Sequence, residues 1–246
     1  MKPENTLMRR FYAPIENFTQ NTVTLDAEET RHLRDVLRLR IGDEVSVFDG
    51  TGREFRTEIR EIGKKSSALN IIKEITSASP ESAFEITLAA TVLNGDKYDL
   101  VIQKAVELGV AALVPLQTIR GDVKVRDAAK RLERWRRIAL EATKQSGRSK
   151  LMQIASPATF NQIISGSKIN NVVLFSERDG KDFSTIPAGK NITALVGPKG
   201  GWDDSELEDA RSNGVNIVTL GGRILRAETA AISLTAILQH RFGDLN

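Results

Sequence analysis

The chain has 246 residues, 40% hydrophobic and 27% charged, enough length for a sizeable core in one large domain or two small ones. A formal net charge of +3 and a pI of about 9.1 permit an anionic partner without demanding one. The absence of cysteine excludes disulfides, thiol nucleophiles and cysteine zinc sites, and the only histidines, His32 and His240, stand too far apart in sequence to suggest a histidine-rich metal site. No run of about eighteen apolar residues predicts a membrane span. The first ten residues carry no apolar signal core, so a cytoplasmic protein is expected.

Residues 7 to about 75 read as a small β-rich module that can close into a barrel. Arg9-Arg10-Phe11-Tyr12 and Thr22-Val23-Thr24-Leu25 are strand candidates. Residues 27–37 predict a helix with Asp26 as N-cap and Glu28 and Glu29 in the first turn. Alternating runs at 44–48 and 54–59 flank Asp49-Gly50-Thr51-Gly52, a hairpin signal, and residues 69–75 add a strand. Residues 77–83 are small, polar and contain Pro80, a plausible linker.

Beyond the linker the pattern changes to strands alternating with helices. Residues 85–93, 111–116, 172–175, 192–196 and 215–220 read as strands, and 96–108 and 129–145 as amphipathic helices. This alternation predicts a parallel α/β sheet. Two of the strands end in glycine turns. Gly197-Pro198-Lys199-Gly200-Gly201 precedes Asp203-Asp204-Ser205-Glu206, the N-cap and capping-box chemistry of a helix to about Asn213. Gly221-Gly222 leads through Arg223-Ile224-Leu225-Arg226 into an Ala/Leu/Ile-rich helix. Neither turn fits the phosphate-binding patterns. Together they suggest one cleft at the carboxyl ends of successive strands.

Leu195-Val-Gly-Pro-Lys-Gly-Gly-Trp202 and Leu220-Gly-Gly-Arg-Ile-Leu-Arg-Ala-Glu-Thr-Ala230 resemble the cofactor loops of the RsmE family. These are SPOUT-class, trefoil-knotted methyltransferases that act on N3 of a uridine in 16S (small-subunit) ribosomal RNA. The segment from His32 to Asp43, residues 97–109 and Glu141-Ala-Thr-Lys-Gln-Ser-Gly-Arg148 resemble further family segments, so the likeness covers nearly the whole chain. It implies a PUA-like RNA-binding β-barrel over residues 1–76, a linker over 77–83, and an α/β SPOUT domain with a deep trefoil knot over 84–246. The knot is implied by the resemblance alone, since general topology rules disfavour threading. The chain departs from the family pattern in three places. Lys199 stands where an acid is usual, Ile119-Arg120-Gly121 stands for E-R-S, and no proline follows Arg148.

The resemblance implies S-adenosyl-L-methionine as cofactor, small-subunit ribosomal RNA as partner (within the assembled subunit), and a homodimer, with no membrane and no metal. Its cofactor cleft maps onto Leu174, Leu195, Val196, Gly197, Gly200, Gly201, Leu220, Gly221, Ile224 and Leu225, where backbone groups can bind the adenine edge and aliphatic side chains its faces. These aliphatics also answer to a core role. Methyl transfer from a sulfonium needs alignment and a deprotonated acceptor, not a nucleophile. Arg226 is the candidate that stabilises negative charge on the uracil oxygens. Glu228 is the candidate base or orienter, although an acid in the first turn of a helix also answers to the dipole. Arg9, Arg10, His32, Arg38, Arg120 and Arg148 are the RNA-binding candidates, arginine being suited to bidentate phosphate contact. A knotted ribose 2′-O-methyltransferase is the nearest alternative, disfavoured because Glu228-Thr-Ala-Ala-Ile-Ser233 lacks that class's asparagine. A non-catalytic RNA-binding or ribosome-assembly protein is the other; a nucleotide-dependent oxidoreductase lacks its glycine fingerprint.

Overall fold

The computed structural model describes residues 8–165 and 171–245; the extreme N-terminus, read above as lacking a signal, lies largely outside them. The chain divides into two units, Met1–Glu81 with Thr143–Leu151, and Ser82–Ala142 with Met152–Asn246.

In the first unit, five strands, β1 (Arg10–Tyr12), β2 (Thr22–Leu25), β3 (Glu44–Phe48), β4 (Glu54–Ile62) and β5 (Ser67–Ile75), form a sheet of order β1-β3-β4-β5-β2. β1 and β3 run parallel and the other pairs antiparallel. The hairpin turn forms because the Asp49 side chain accepts from the Thr51 backbone at 2.8 Å, while Gly50 and Gly52 take positive φ. Phe11, Val23, Leu25, Leu33, Val45, Val47, Ile59 and Leu69 fill the core. Helix α1 (Ala27–Arg31) is capped by Asp26, whose side chain accepts from the Glu29 backbone. The predicted helix over 27–37 does not run on as α-helix. Its second half, His32–Val36, is a π-helical turn, and Arg38 then takes a left-handed backbone with φ 54°, a conformation that costs a non-glycine residue about 1 kcal/mol or more.

The second unit is a three-layer α/β structure. Strands β6 (Glu85–Thr91), β7 (Ala112–Gln117), β8 (Gln153–Ile154), β10 (Val172–Phe175), β11 (Asn191–Val196) and β12 (Asn216–Val218) lie in the order β12-β10-β11-β6-β7-β8, with β9 (Ala158–Thr159) also pairing β7. All these pairings are parallel. Both faces are covered, as a parallel sheet requires. One face packs Val173, Phe175, Ala194, Val196 and Val218 against helices α2 (Lys97–Glu107), α4 (Leu132–Ser146) and the C-terminal α7 (Ala227–Phe242). The other packs Leu174, Leu195 and Ile217 against α5 (Phe160–Ile164), α6 (Asp204–Ser212) and Trp202. The helix predicted over 129–145 starts later, at Leu132, after a separate short helix α3 (Val125–Ala129).

Candidate active site

The carboxyl ends of β10, β11 and β12 open into one cleft on the α7 side of the sheet. Phe175, Val196, Leu220, Leu225, Ala227, Ala230 and Leu234 give it an apolar lining, with Ser176, Glu177, Gly197, Pro198, Gly201, Trp202 and Arg223 completing the walls. Gly197 is required by packing. A Cβ there would stand 2.9 Å from the Trp202 indole, which is 1% exposed, stacks near Phe160 with centroids 5.4 Å apart, and donates from Nε1 to the Phe175 carbonyl at 2.8 Å. Gly201 combines φ +72° with a Glu177 carboxylate oxygen 2.7 Å from where its Cβ would be. The two glycines thus leave a cradle that any side chain would fill. Asp203 caps α6 and closes the predicted capping box with Glu206. Glu206, 2% exposed, also accepts from the Ile119 backbone at 2.9 Å, which fixes the loop after β7 to the glycine turn. Arg120 adds hydrogen bonds of 3.2 Å to the Gly200 carbonyl and the Asp203 carboxylate.

Arg226 and Glu228 stand on either side of Ala227 at the start of α7; Ala227 lines the cleft and they do not. Arg226 is the N-cap residue and exposed. Glu228 is more enclosed and pairs with Lys97 at 3.1 Å, their side chains 14% and 51% exposed. Its own backbone N–H at the helix start holds the Glu228 carboxyl below the usual carboxylate range, and Lys97 and Arg226 add to this against the opposing desolvation. At neutral pH this group is an ionised acceptor.

A sequence pattern described as RNA methyltransferase domain matches residues 80–239, and one described as RNA methyltransferase PUA domain matches 25–72. The chain is 33% identical over 222 residues to the ribosomal RNA small subunit methyltransferase E of Synechocystis, spanning 87% of this chain and 72% of that protein. It is 31% identical over 229 residues to the protein of the same name from Bacillus subtilis, spanning 88% and 89%. The chain belongs to the ribosomal RNA small subunit methyltransferase E family. A crystal structure of the family member from Neisseria gonorrhoeae bound to S-adenosyl methionine matches it with a TM-score of 0.88 at 36% identity, over 97% of this chain and 100% of that one. The two-part reading of the fold, a PUA-like unit followed by an α/β methyltransferase domain, holds.

Of the cofactor candidates in this family member, Val196, Gly197, Gly201, Leu220 and Leu225 line the cleft. Leu174 and Leu195 point through the opposite sheet face into the Trp202 core, and their strand neighbours Phe175 and Val196 take the lining position instead. Gly200 faces Arg120. Gly221 takes φ +61° with open space around its Cα, and Ile224 is 86% exposed. Among the RNA candidates, Arg9 and Arg38 are exposed and His32 is half-buried with its ring 5.9 Å from Phe11. Arg10 and Arg148 are internal. Arg10 forms a double hydrogen bond with Glu54 at 3.0 and 2.9 Å and donates to the Lys144 and Arg148 carbonyls. Arg148, 3% exposed, holds Glu81 at 2.9 and 2.6 Å. Both guanidiniums are spent on protein acceptors, so neither is open to phosphate. Sequence reasoning missed Lys97, Glu177 and Arg223 as site residues. Lys97 had a signal in its position within a family-like segment, whereas Glu177 follows a strand end without any pattern of its own.

Proposed function

We propose that this chain transfers a methyl group from S-adenosyl-L-methionine to N3 of a uridine in 16S ribosomal RNA. The observation that carries the reading is the apolar cleft between β10, β11 and β12, cradled at Gly197 and Gly201, with Arg226 and Glu228 next in sequence to its lining residue Ala227. The residues fit the donor: Val196, Phe175 and Leu225 suit the flat adenine, and the glycines let backbone approach it. When bound, the donor supplies a methyl group already activated by its sulfonium leaving group. What the chain must add is alignment and management of the imide proton. Arg226 meets the negative charge that grows on the uracil oxygens as that proton departs. Glu228, held ionised, accepts the N3–H, orients the base and passes the proton to water.

The first unit supplies RNA contact through Arg9, His32 and Arg38, and Arg120 does so in the second. A substrate within the assembled small subunit, a cytoplasmic location, and domain limits of 1–76 and 84–246 about a 77–83 linker complete the reading. The described residues contain no helix long and apolar enough to cross a membrane. A deep trefoil knot and a homodimer are carried over from the resemblance to the family.

The test uses small subunits from cells lacking this modification, incubated with the protein and donor carrying a deuterated methyl group, followed by nucleoside mass spectrometry. Labelled 3-methyluridine is expected. Label in a ribose, or none despite donor binding, refutes the assignment.

A further inference from the structure

Two charged side chains line the cleft, Glu177 just after β10 and Arg223 in the loop after β12; the rest of the lining is apolar, glycine or the Ser176 hydroxyl. Glu177 has one charged neighbour and no hydrogen-bond donor among the described residues. Its neighbour Arg178 approaches at 3.6 Å, beyond hydrogen-bonding reach, because that guanidinium donates to Asp204 at 2.7 Å and to the Trp202 carbonyl at 3.4 Å. The Glu177 carboxylate instead lies over the bare Cα of Gly201, in the space a Cβ would take. Arg223 is exposed and enters no ion pair among the described residues. A guanidinium suits a carboxylate in the planar, two-pronged manner that an ammonium does not.

The methyl donor of the proposed reaction has a neutral nucleoside and a charged tail bearing a sulfonium, an ammonium and a carboxylate. An apolar slot with one acid and one guanidinium on its walls matches that division. We propose that Glu177 and Arg223 clamp the donor's tail, Glu177 at its cationic groups and Arg223 at its carboxylate. This rests on the donor reading of the cleft. Because the demethylated product has lost the sulfonium charge, Glu177 also favours binding of donor over product.

Calorimetric titration of the full chain separates these roles with three probes. They are S-adenosylmethionine, its decarboxylated analogue, and 5′-methylthioadenosine, which lacks the tail. Glu177→Gln is expected to weaken the first two about tenfold and leave methylthioadenosine unchanged, the scale of one charge-assisted contact at a partly exposed site. Arg223→Gln is expected to weaken S-adenosylmethionine by about the same factor while sparing the decarboxylated analogue and methylthioadenosine. Thermal scans matching wild type show that both variants fold. Unchanged binding of all three probes overturns the clamp. So does a loss shared equally by methylthioadenosine, which makes the residues shapers of the slot. Wild-type protein that binds none of the probes overturns the donor reading and the clamp with it.

Discussion

Replacing Gly197 with alanine tests the cradle directly. The added methyl carbon would lie 2.9 Å from Cε2 and Nε1 of Trp202 and 3.2 Å from Cδ2. The indole has nowhere to retreat, since Phe160 lies against it and its Nε1 is tied to the Phe175 carbonyl. The turn must move instead, away from a geometry set at Gly201 and by the Asp203 cap. Overpacking of this kind costs about 1–3 kcal/mol, which lowers Tm by roughly 2–12 °C for a unit of this size. Donor affinity falls at least about tenfold as the turn leaves the cleft wall. Trp202→Leu removes the ring atoms that the methyl strikes. Alone it is destabilising, through the vacated volume and the orphaned Phe175 carbonyl, by about 2–4 kcal/mol. Combined with Gly197→Ala it is expected to lose less than the two single costs together, with a coupling of about 1 kcal/mol or more. The assay is thermal denaturation of the four proteins beside calorimetric titration with S-adenosylmethionine. Gly221→Ala is the control, since open space leaves it only the backbone cost of φ +61°, about 1 kcal/mol. Additive losses, or a Gly197→Ala protein that melts and binds as wild type, refute the packing argument.

Arg226→Ala and Glu228→Ala are each expected to lower turnover about 10²-fold while S-adenosylmethionine affinity stays within about twofold; turnover kept in both removes them from the chemistry. Arg10→Ala strands the Glu54 carboxylate, whose side chain is 4% exposed, and is expected to cost about 3–5 kcal/mol, whereas Arg9→Ala leaves Tm unchanged and weakens RNA binding in low salt. Burial raises the Glu54 carboxyl, but hydrogen bonds from Arg10, Ser149 and Ser46 outweigh it and leave the group below its ordinary 4.5. Its stabilisation is therefore present above that value and is lost as pH falls through the lower folded one. Tm measured from about pH 5 to about pH 3 falls in wild type and flattens in Glu54→Gln; equal slopes exclude Glu54 as the source. Lys199→Glu, at an exposed turn position, is expected to change donor affinity less than about fivefold, and a larger change places the residue inside the site.

Short-range chemistry was legible in the sequence. The Asp203/Glu206 capping box, the Asp26 cap, the Asp49-Gly50 hairpin turn and the strand over 172–175 all depend on residues within a few positions of one another. The phase of the buried strands was not. In a parallel sheet covered on both sides most positions are apolar, so strand pattern gave no means of separating Val196, which faces the cleft, from Leu174 and Leu195, which face away, and Phe175 was missed. Residues 150–165 carry no strong period, and the two-residue strands there and the five-residue α5 are too short to announce themselves. Two of the arginine candidates, Arg10 and Arg148, are internal for a longer-range reason. Arg10 finds Glu54 44 residues away and Arg148 finds Glu81 67 residues away, pairings that turn two phosphate-binding candidates into structural residues and that no local pattern encodes. The Lys97–Glu228 pair is hidden in the same way.

The lysine at position 199 acquires a physical sense from this layout. The reaction brings together two ligands of opposite charge, a cationic donor inside the cleft and a polyanion outside it. Acids are therefore favoured within the cleft, beside the single guanidinium of Arg223 that meets the donor's carboxylate, and bases around it. Glu177 lies in the wall and Glu228 stands largely enclosed at the helix start. Lys199 and Arg226 are exposed, as is Arg9 on the first unit. A lysine in the turn, with its head in water, adds to the attraction for RNA at little cost to a donor whose charge meets Glu177. Methyl transfer needs no acid at position 199 so long as one remains in the cleft wall, and Gly201 is bare so that one can.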